Sequence, residues 1–320
     1  MQFPDEVLRR CWFLTGATAS GKSAVAMELA PRIGGEIIAL DSMTLYLGMD
    51  IGTAKPTREE RAVVPHHLFD VIEPWEEFSV AQYLDAALVV SQEILGRGNV
   101  PLFVGGAGLY LRSLLRGVFD GPPADWELRG RWEAFAAQHG NTALHAELTQ
   151  RDPASAQRLH INDQRRIIRA LEVFEVTGRT LSEQHTNTPG QELRHVFALM
   201  PPRDWLAERI ERRLRQMTQR GLVAENLKLM TLEHPLSRTA RQALGYKEIL
   251  DWLETLPSTE RRPDLQIPEP VFTLMRDRTR QFAKRQETWF RNLEECRLVP
   301  VAADETAENI ALRLMDGIEH

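Results

Sequence analysis

The sequence has few cysteines and no long hydrophobic run. Cys11 and Cys296 are its two cysteines, and neither belongs to a C-x-x-C pair. Neither a zinc site nor a disulfide framework is therefore predicted. No apolar stretch approaches the about 18 residues that a membrane-spanning helix requires. Residues 1–6 lack the basic and apolar segments of a secretory signal. We expect a soluble protein of the reducing cytoplasm.

A global excess of positive charge is also missing. The 320 residues include 39 Lys and Arg against 45 Asp and Glu, which gives a formal net charge of −6. The composition, 43% hydrophobic and 26% charged, is that of a globular protein. The length allows one large domain or two ordinary ones with a sizeable core. Binding to nucleic acid would therefore have to use local clusters of basic residues.

A phosphate-binding loop is the strongest motif in the sequence. Residues 16–23 (GATASGKS) fit the pattern G-x-x-x-x-G-K-[ST]. The apolar residues 11–15 before them predict a strand, and residues 24–29 after them predict a helix. Glycines let backbone N–H groups turn toward an anion, and the helix N-terminus adds partial positive charge. We expect Lys22 to pair with the terminal phosphate and Ser23 to bind Mg²⁺.

Strands and helices alternate along most of the chain, which predicts a parallel sheet with helices on its faces. Strands are predicted at 11–15, 36–40, 67–72, 100–105, 195–200 and 297–301, and helices at 22–32, 79–96, 108–116, 203–220, 222–233, 245–256 and 269–293. Helical spacing over 124–183 predicts an all-helical segment, which a polar stretch, 184–191, ends. We expect an α/β, P-loop NTPase-like core (residues 1–119 and 195–320) with an all-helical insertion domain (residues 120–194). The ligand should lie beyond the carboxyl ends of the strands.

Two further segments follow predicted strands. Asp41 comes directly after the second strand, where it could be a Mg²⁺ ligand, a general base or the cap of the next turn. Residues 105–108 (GGAG) offer either a close backbone approach to a ligand or a tight turn. The strand before them does not end in Asp, and the chain lacks an Asn-Lys-x-Asp motif. These absences argue against an ordinary ATPase and against a GTPase.

Basic residues gather in three places. Residues 203–220 carry six basic side chains against three acidic ones, and residues 276–291 carry six against two. The third group is Arg158, Arg165, Arg166 and Arg169. Each group alone is typical of a solvated face, but three in an acidic protein favour a surface for a polyanion.

Several segments together resemble the tRNA dimethylallyltransferase (tRNA isopentenyltransferase) family. They occur in the family's order between about residues 11 and 295: 15–23 (TGATASGKS), 41–43 (DSM), 48–56 (GMDIGTAKP), 104–106 (VGG), 166–173 (RIIRALEV), 243–248 (ALGYKE) and 280–286 (RQFAKRQ). The resemblance implies transfer of a dimethylallyl group from dimethylallyl pyrophosphate to N6 of the adenosine 3′ of the anticodon. It also implies that the P-loop holds a pyrophosphate, and that the insertion grips the anticodon stem-loop.

The resemblance also implies roles for individual residues. The catalytic residues would be Asp41 as general base with Lys22 and Arg213 on the pyrophosphate, and Ser23 would hold Mg²⁺. The pyrophosphate would be bound by Thr15, Gly16, Ala17, Thr18, Ala19, Ser20, Gly21, Lys22 and Ser23. Contacts to tRNA would come from Asp41, Ser42, Met43, Thr44, Ala107, Arg129, Arg165, Arg166, Arg169, Gln242, Gly245, Tyr246, Lys247, Arg280 and Lys284. Arg169 is the leading candidate for a phosphate contact, and a monomer is expected.

The sequence departs from the family pattern at four positions. Ala17 stands in place of a proline, and Thr44 and Arg165 stand in place of glutamines. Ala107 replaces a threonine whose hydroxyl the family places beside the reacting groups. Two alternatives from other classes stay open: a small-molecule P-loop kinase, and a catalytically weak tRNA-binding protein.

Overall fold

The computed structural model describes residues 2–118, 121–184 and 193–316 and contains a six-stranded, wholly parallel sheet. The strands are β1 (Trp12–Gly16), β2 (Gly35–Ala39), β3 (His66–His67), β4 (Val100–Gly105), β5 (Val196–Met200) and β6 (Arg297–Pro300). Their order is β3-β2-β4-β1-β5-β6. The predicted α/β fold class is confirmed. The described helices include none with the length and apolar character needed to cross a membrane.

The described residues also contain fifteen α-helices. They are α1 (Asp5–Leu8), α2 (Lys22–Ile33), α3 (Arg58–Val63), α4 (Val80–Gly96), α5 (Gly108–Arg116), α6 (Trp126–Arg151), α7 (Pro153–Arg158), α8 (Gln164–Thr177), α9 (Leu181–Gln184), α10 (Arg203–Gln219), α11 (Leu222–Met230), α12 (Arg238–Arg241), α13 (Tyr246–Glu254), α14 (Glu269–Arg291) and α15 (Ala307–Asp316). A 3₁₀ turn covers Ser258–Glu260.

The chain divides into two compact units. Residues 2–116 and 193–316 form the sheet-containing unit, and residues 117–184 form the other, apart from 119–120, which are outside the described part. A core between the sheet and its helices includes Leu14, Leu29, Ile37, Leu102 and Ile310. The second unit is helical, and its own core includes Leu144, Leu148, Ile167 and Leu171. Of the predicted polar stretch 184–191, only Gln184 lies within the described residues.

One predicted strand, 67–72, is wrong in extent. β3 ends at His67, because Leu68 and Asp70 take left-handed backbone conformations with φ of 60° and 56°. Extended pairing cannot continue through such residues. The chain regains parallel pairing only at an isolated bridge between Tyr46 and Ile72.

Helix α3 was not predicted, although the sequence carries its start signal. Thr57 caps the N–H of Glu60, and the Glu60 carboxylate accepts the N–H of Thr57 in return. This reciprocal pair is a capping box, which the spacing T-x-x-E encodes. The shorter helices α1 and α12 were not predicted either.

Candidate active site

The phosphate-binding loop connects the end of β1 to the start of α2. Its backbone takes left-handed or otherwise glycine-like conformations at Gly16 (φ 150°), Ala19 (φ 64°) and Gly21 (φ 98°). A Cβ on Gly16 would lie 2.8 Å from Ser20 Oγ and 3.0 Å from the carbonyl oxygen of Leu199. Glycine is therefore required there by space as well as by backbone conformation.

The loop presents backbone donors at the start of α2. Among the described residues, the N–H groups of Gly21, Lys22 and Ser23 donate to no acceptor. The first N–H groups of a helix have no partner within it, and they carry the positive end of the helix dipole. The loop therefore offers an arrangement that binds an anionic group.

Two half-buried cations and one carboxylate share this region. Burial lowers the pKa of Lys22 to about 8, with a further lowering from Arg213 and an opposing effect from Asp41. Burial likewise lowers the pKa of Arg213, and Asp41 again opposes the shift. Because the two cations repel each other and one carboxylate faces both, the site is electrostatically suited to an additional anion.

Asp41 lies at the carboxyl end of β2 as predicted. Its Oδ1 accepts the N–H of Met43 at 2.8 Å, and its carbonyl oxygen accepts the Thr44 hydroxyl at 3.3 Å. Within the described chain, no group donates to Oδ2. One carboxylate oxygen thus shapes the turn, while the other is available to a substrate. The capping and general-base interpretations are compatible.

These groups line a single cleft of about 830 Å³. One face of α10 contributes Arg209, Arg212, Arg213 and Gln216 at helical spacing, and Arg220 adds to the lining just after the helix ends. Of the predicted pyrophosphate-binding residues, Thr18, Ala19, Gly21, Lys22 and Ser23 line it. Thr15 instead uses its fully buried hydroxyl to donate to the carbonyl oxygen of Gly105 at 2.8 Å. Its side chain joins β1 to β4 and is not among the residues that line the cleft.

A glycine-rich loop, residues 48–56, forms another wall of the cleft through Thr53, Ala54, Lys55 and Pro56. The Glu225 carboxylate accepts the N–H groups of Asp50, Ile51 and Gly52 at 2.9–3.2 Å. The Tyr246 hydroxyl donates to Glu225 at 2.6 Å and accepts the N–H of Gly52 at 3.1 Å. This loop is therefore held from its base by a buried network.

Lys55 is committed to the same loop. Its Nζ lies 2.7 Å from Asp50 Oδ1 and 2.5 Å from Asp70 Oδ1, and only 2% of its side chain is exposed. The two negative carboxylates more than offset the positive potential of this buried ammonium, so Lys55 does not attract an anionic substrate. Lys22 is the lysine in this cleft that retains an electrostatic role toward an anion.

The end of β4 packs tightly beside Asp41. A Cβ on Gly105 would lie 1.9 Å from the carbonyl oxygen of Leu40, so a side chain is excluded. The N–H of Ala107 donates to that same oxygen at 3.1 Å. Ala107 is thus bound to the residue immediately before Asp41, although it is not among the residues that line the cleft.

Sequence reasoning missed two residues that contact the phosphate-binding loop. The Gln286 side chain accepts the N–H of Thr18 and donates to the carbonyl oxygen of Gly106. Arg209 Nε donates to the carbonyl oxygen of Ala19 at 2.9 Å. Both residues lie in segments that the sequence analysis had singled out, Gln286 in 280–286 and Arg209 in 203–220. No local pattern, however, predicted that their side chains would bond to the phosphate-binding loop.

The predicted tRNA contacts in the helical unit divide into two groups. Arg165 and Arg166 are exposed on α8, and Arg166 lies 3.4 Å from Asp163. Arg129 and Arg169 instead pair with the fully buried Glu172, and Arg169 also donates to the carbonyl oxygen of Pro122. Arg165 and Arg166 therefore retain guanidinium groups directed to solvent, whereas Arg169 is engaged within the unit.

The predicted contacts in residues 242–247 and on α14 also differ in exposure. Tyr246 and Gly245 are buried, whereas Gln242 and Lys284 are exposed. Lys247 pairs with Asp251 at 3.0 Å, and Arg280 lies 3.7 Å from Glu211. Ser42 and Met43 are half-buried beside Asp41, and Thr44 is buried but lines the cleft.

A metal ion in this cleft would depend on the substrate for most of its ligands. The described residues contain no group of three or more His, Cys, Asp or Glu side chains that could hold one. Ser23 lines the cleft in the first turn of α2 with an exposed side chain. Mg²⁺ commonly takes one or two protein ligands and completes its shell with phosphate oxygens and water. The residues present fit such an ion.

Comparisons with known proteins agree over nearly the whole chain. Residues 44–293 match the family model described as IPP transferase, and residues 9–64 match the one described as isopentenyl transferase. A tRNA dimethylallyltransferase of Rhodopirellula baltica is 45% identical over 295 residues, which cover 89% of this chain and 86% of the relative. One of Methylococcus capsulatus is 42% identical over 311 residues, covering 94% and 96%.

Two solved structures resemble this fold. The full-length tRNA isopentenylpyrophosphate transferase of Bacillus halodurans superposes with a TM-score of 0.67 at 37% identity and covers 96% of each chain. A eukaryotic dimethylallyltransferase, described as acting on tRNA, gives a TM-score of 0.72 at 26% identity. That match covers 92% of this chain and 73% of the other.

Proposed function

This chain belongs to the tRNA dimethylallyltransferase family, and we propose that it transfers a dimethylallyl group from dimethylallyl pyrophosphate to N6 of the adenosine 3′ of the anticodon. One observation carries the proposal. The anion-binding loop and Asp41, with its available Oδ2, line the same cleft. A pyrophosphate leaving group and an amine nucleophile can therefore meet there.

The reaction is a substitution at C1 of the allylic substrate. The N6 lone pair of adenine forms the new N–C bond while the C1–O bond to pyrophosphate breaks, and its electron pair leaves with the pyrophosphate. The N6 proton passes to a carboxylate oxygen of Asp41, which acts as general base. Because Oδ1 is held by the N–H of Met43, Oδ2 is the oxygen we assign to this transfer.

The leaving group needs charge stabilisation that increases as the C1–O bond breaks. Lys22, Arg213 and the free N–H groups of residues 21–23 supply it from fixed positions, so little reorganisation accompanies the reaction. Ser23 would hold Mg²⁺, which neutralises pyrophosphate charge when bound. Arg212 and Arg220 extend the positive lining of the cleft.

The target base must leave the anticodon stack to reach this cleft. Thr44, Ser42 and Met43 follow Asp41 directly, so we assign them to the base and its neighbours. The exposed cations Arg165, Arg166 and Lys284 are the candidates for phosphate contacts.

The decisive experiment incubates unmodified tRNA with the protein, dimethylallyl pyrophosphate and Mg²⁺, followed by mass spectrometry of the tRNA fragments. The expected product carries one dimethylallyl group on the anticodon-loop fragment, and Lys22→Ala should form far less of it. Phosphoryl transfer from ATP to a small molecule would instead support the kinase alternative. Tight tRNA binding without any mass change would indicate a binding protein.

A further inference from the structure

We propose that Gln286 is a positioning residue that holds the phosphate-binding loop in its anion-binding conformation. The inference rests on the proposed function, because it treats the ligand of this loop as a pyrophosphate. Gln286 lies on α14, far along the chain from the loop, and is only 5% exposed. Gln286 lines the cleft, and both ends of its amide are bonded to backbone groups of the protein.

The Gln286 amide makes one bond with each of its two ends. Oε1 accepts the N–H of Thr18 at 2.8 Å, and Nε2 donates to the carbonyl oxygen of Gly106 at 2.8 Å. The amide therefore connects the phosphate-binding loop to the segment that follows β4. Both partners are backbone groups. The amide therefore holds the main chain of the two segments directly, without another side chain between them.

The loop needs such support because part of it is strained. Ala19 has a φ of 64°, a left-handed conformation that residues other than glycine rarely adopt. Strained residues persist only when the surrounding structure holds them. Gln286 holds the N–H of Thr18 on one side of Ala19, and Arg209 holds the carbonyl oxygen of Ala19 at 2.9 Å on the other. Two helices thus hold the peptide between residues 17 and 18 and the peptide between residues 19 and 20, one on each side of Ala19.

Gln286 also explains the glycine at position 106. A Cβ there would lie 2.2 Å from Gln286 Nε2 and 3.3 Å from the carbonyl oxygen of Gly16. The backbone at Gly106 is not left-handed, so the amide, rather than the backbone, excludes a side chain. An alanine at 106 would push the amide away from its two partners. The two residues are therefore energetically coupled.

Removal of the amide should weaken pyrophosphate binding without unfolding the protein. Gln286→Met keeps the length and volume of the side chain but removes both hydrogen bonds. The loss of two neutral hydrogen bonds corresponds to a roughly 5- to 150-fold weaker interaction. We expect the Kd for inorganic pyrophosphate with Mg²⁺, measured by calorimetry, to rise within that range. The KM for dimethylallyl pyrophosphate should rise in parallel.

Gln281→Met is the matched control, because Gln281 is exposed on the same helix. Its Kd for pyrophosphate should equal that of the wild type. The melting temperatures of both variants show whether Gln286 acts on pyrophosphate binding or only on the stability of the fold. If Gln286→Met lowers the melting temperature but leaves the Kd and KM of the folded fraction unchanged, Gln286 is only a packing residue and the proposal fails.

A double-mutant cycle tests the coupling to Gly106. Gly106→Ala alone should raise the Kd for pyrophosphate about as much as Gln286→Met. The double variant should show no further rise in Kd, because the two hydrogen bonds that the new methyl breaks are already absent and the flexible methionine side chain can bend away from it. Additive losses would overturn the proposal. The cycle measures pyrophosphate binding and does not depend on tRNA. A failure of dimethylallyl transfer to tRNA would therefore disprove the proposed function, and the Kd values would still test the role of Gln286.

Discussion

Lys22 is the residue whose charge state most directly affects the proposed chemistry. Burial lowers its pKa to about 8, so its ammonium form is lost as the pH rises through that value in the free enzyme. Since kcat/KM reports ionisations of the free enzyme, we expect kcat/KM for dimethylallyl pyrophosphate to fall above about pH 8. Lys22→Arg should move this descending limb to higher pH. A limb that stays in place in the arginine variant would assign it to another group.

Asp41 should be tested by a substitution that preserves its shape. Asp41→Asn keeps an acceptor for the N–H of Met43 but removes the proton acceptor that we assign to Oδ2. Loss of a general base typically costs about 10²–10⁴-fold in rate, so single-turnover transfer should fall within that range. The Kd for tRNA, from filter binding, should change little. A wild-type rate in this variant would leave Asp41 as a turn-forming residue only.

Ala107 is the position where a departure from the family pattern makes a prediction. Its N–H donates to the carbonyl oxygen of Leu40, so position 107 lies beside the residue before Asp41, and the family pattern places a threonine hydroxyl there near the reacting groups. A neutral hydrogen bond made only in the transition state is worth about 0.5–1.5 kcal/mol, or roughly 2–13-fold in rate.

We therefore expect Ala107→Thr to raise kcat/KM by a factor in that range on an anticodon stem-loop substrate. An equal or slower threonine variant would mean that the site is adapted to alanine. Thr44 or Ser42 would then be the next candidates for the missing contact.

The 48–56 loop and helices α11 and α13 meet at Tyr246, which is 0% exposed. Burial and the neighbouring Glu225 raise the pKa of Tyr246 far above its ordinary value, so its hydroxyl stays protonated and donates to Glu225. Because a hydrogen bond to a charged group contributes about 1.5–3 kcal/mol, Tyr246→Phe should lower the free energy of unfolding by that amount in urea. Gln242→Ala, at an exposed position nearby in the sequence, should leave the free energy of unfolding unchanged. Unchanged stability in Tyr246→Phe would show that the hydroxyl does not hold the loop.

Over the whole molecule, the proposed function requires an acidic protein to bind an acidic RNA through local positive charge. The net charge is −6, so long-range repulsion has to be overcome by clusters such as Arg165 and Arg166. Affinity for tRNA should therefore fall steeply with salt concentration. Arg165→Gln should reduce the slope of log K against log salt by about one unit.

Arg169 provides the comparison for that measurement. It bonds to buried Glu172 and to the carbonyl oxygen of Pro122, so Arg169→Gln should destabilise the helical unit and leave the salt slope of the folded protein nearly unchanged. If the slope of log K against log salt falls for Arg169→Gln and not for Arg165→Gln, the prediction from the sequence that Arg169 contacts a phosphate would be correct.

The sequence by itself determined the features that depend on local pattern. The phosphate-binding loop, the alternation of strands and helices, and Asp41 at the end of a strand could all be predicted. Strand β4 and helix α5 were predicted with the boundaries that the structure has. Such features arise from backbone conformation and periodic burial over neighbouring residues, which a short stretch of sequence specifies.

Only the tertiary structure decided which side chains meet. Thr18 and Gln286 are 268 positions apart, and Ala19 and Arg209 are 190 apart, so no local pattern relates them. Nor does local sequence show whether a charged side chain is free to contact a ligand. Arg165 and Arg169 look alike in sequence, yet one faces solvent while the other neutralises buried Glu172. Whether a cation can bind a ligand depends on the partners that folding brings to it, because a buried carboxylate must be paired and takes the nearest guanidinium.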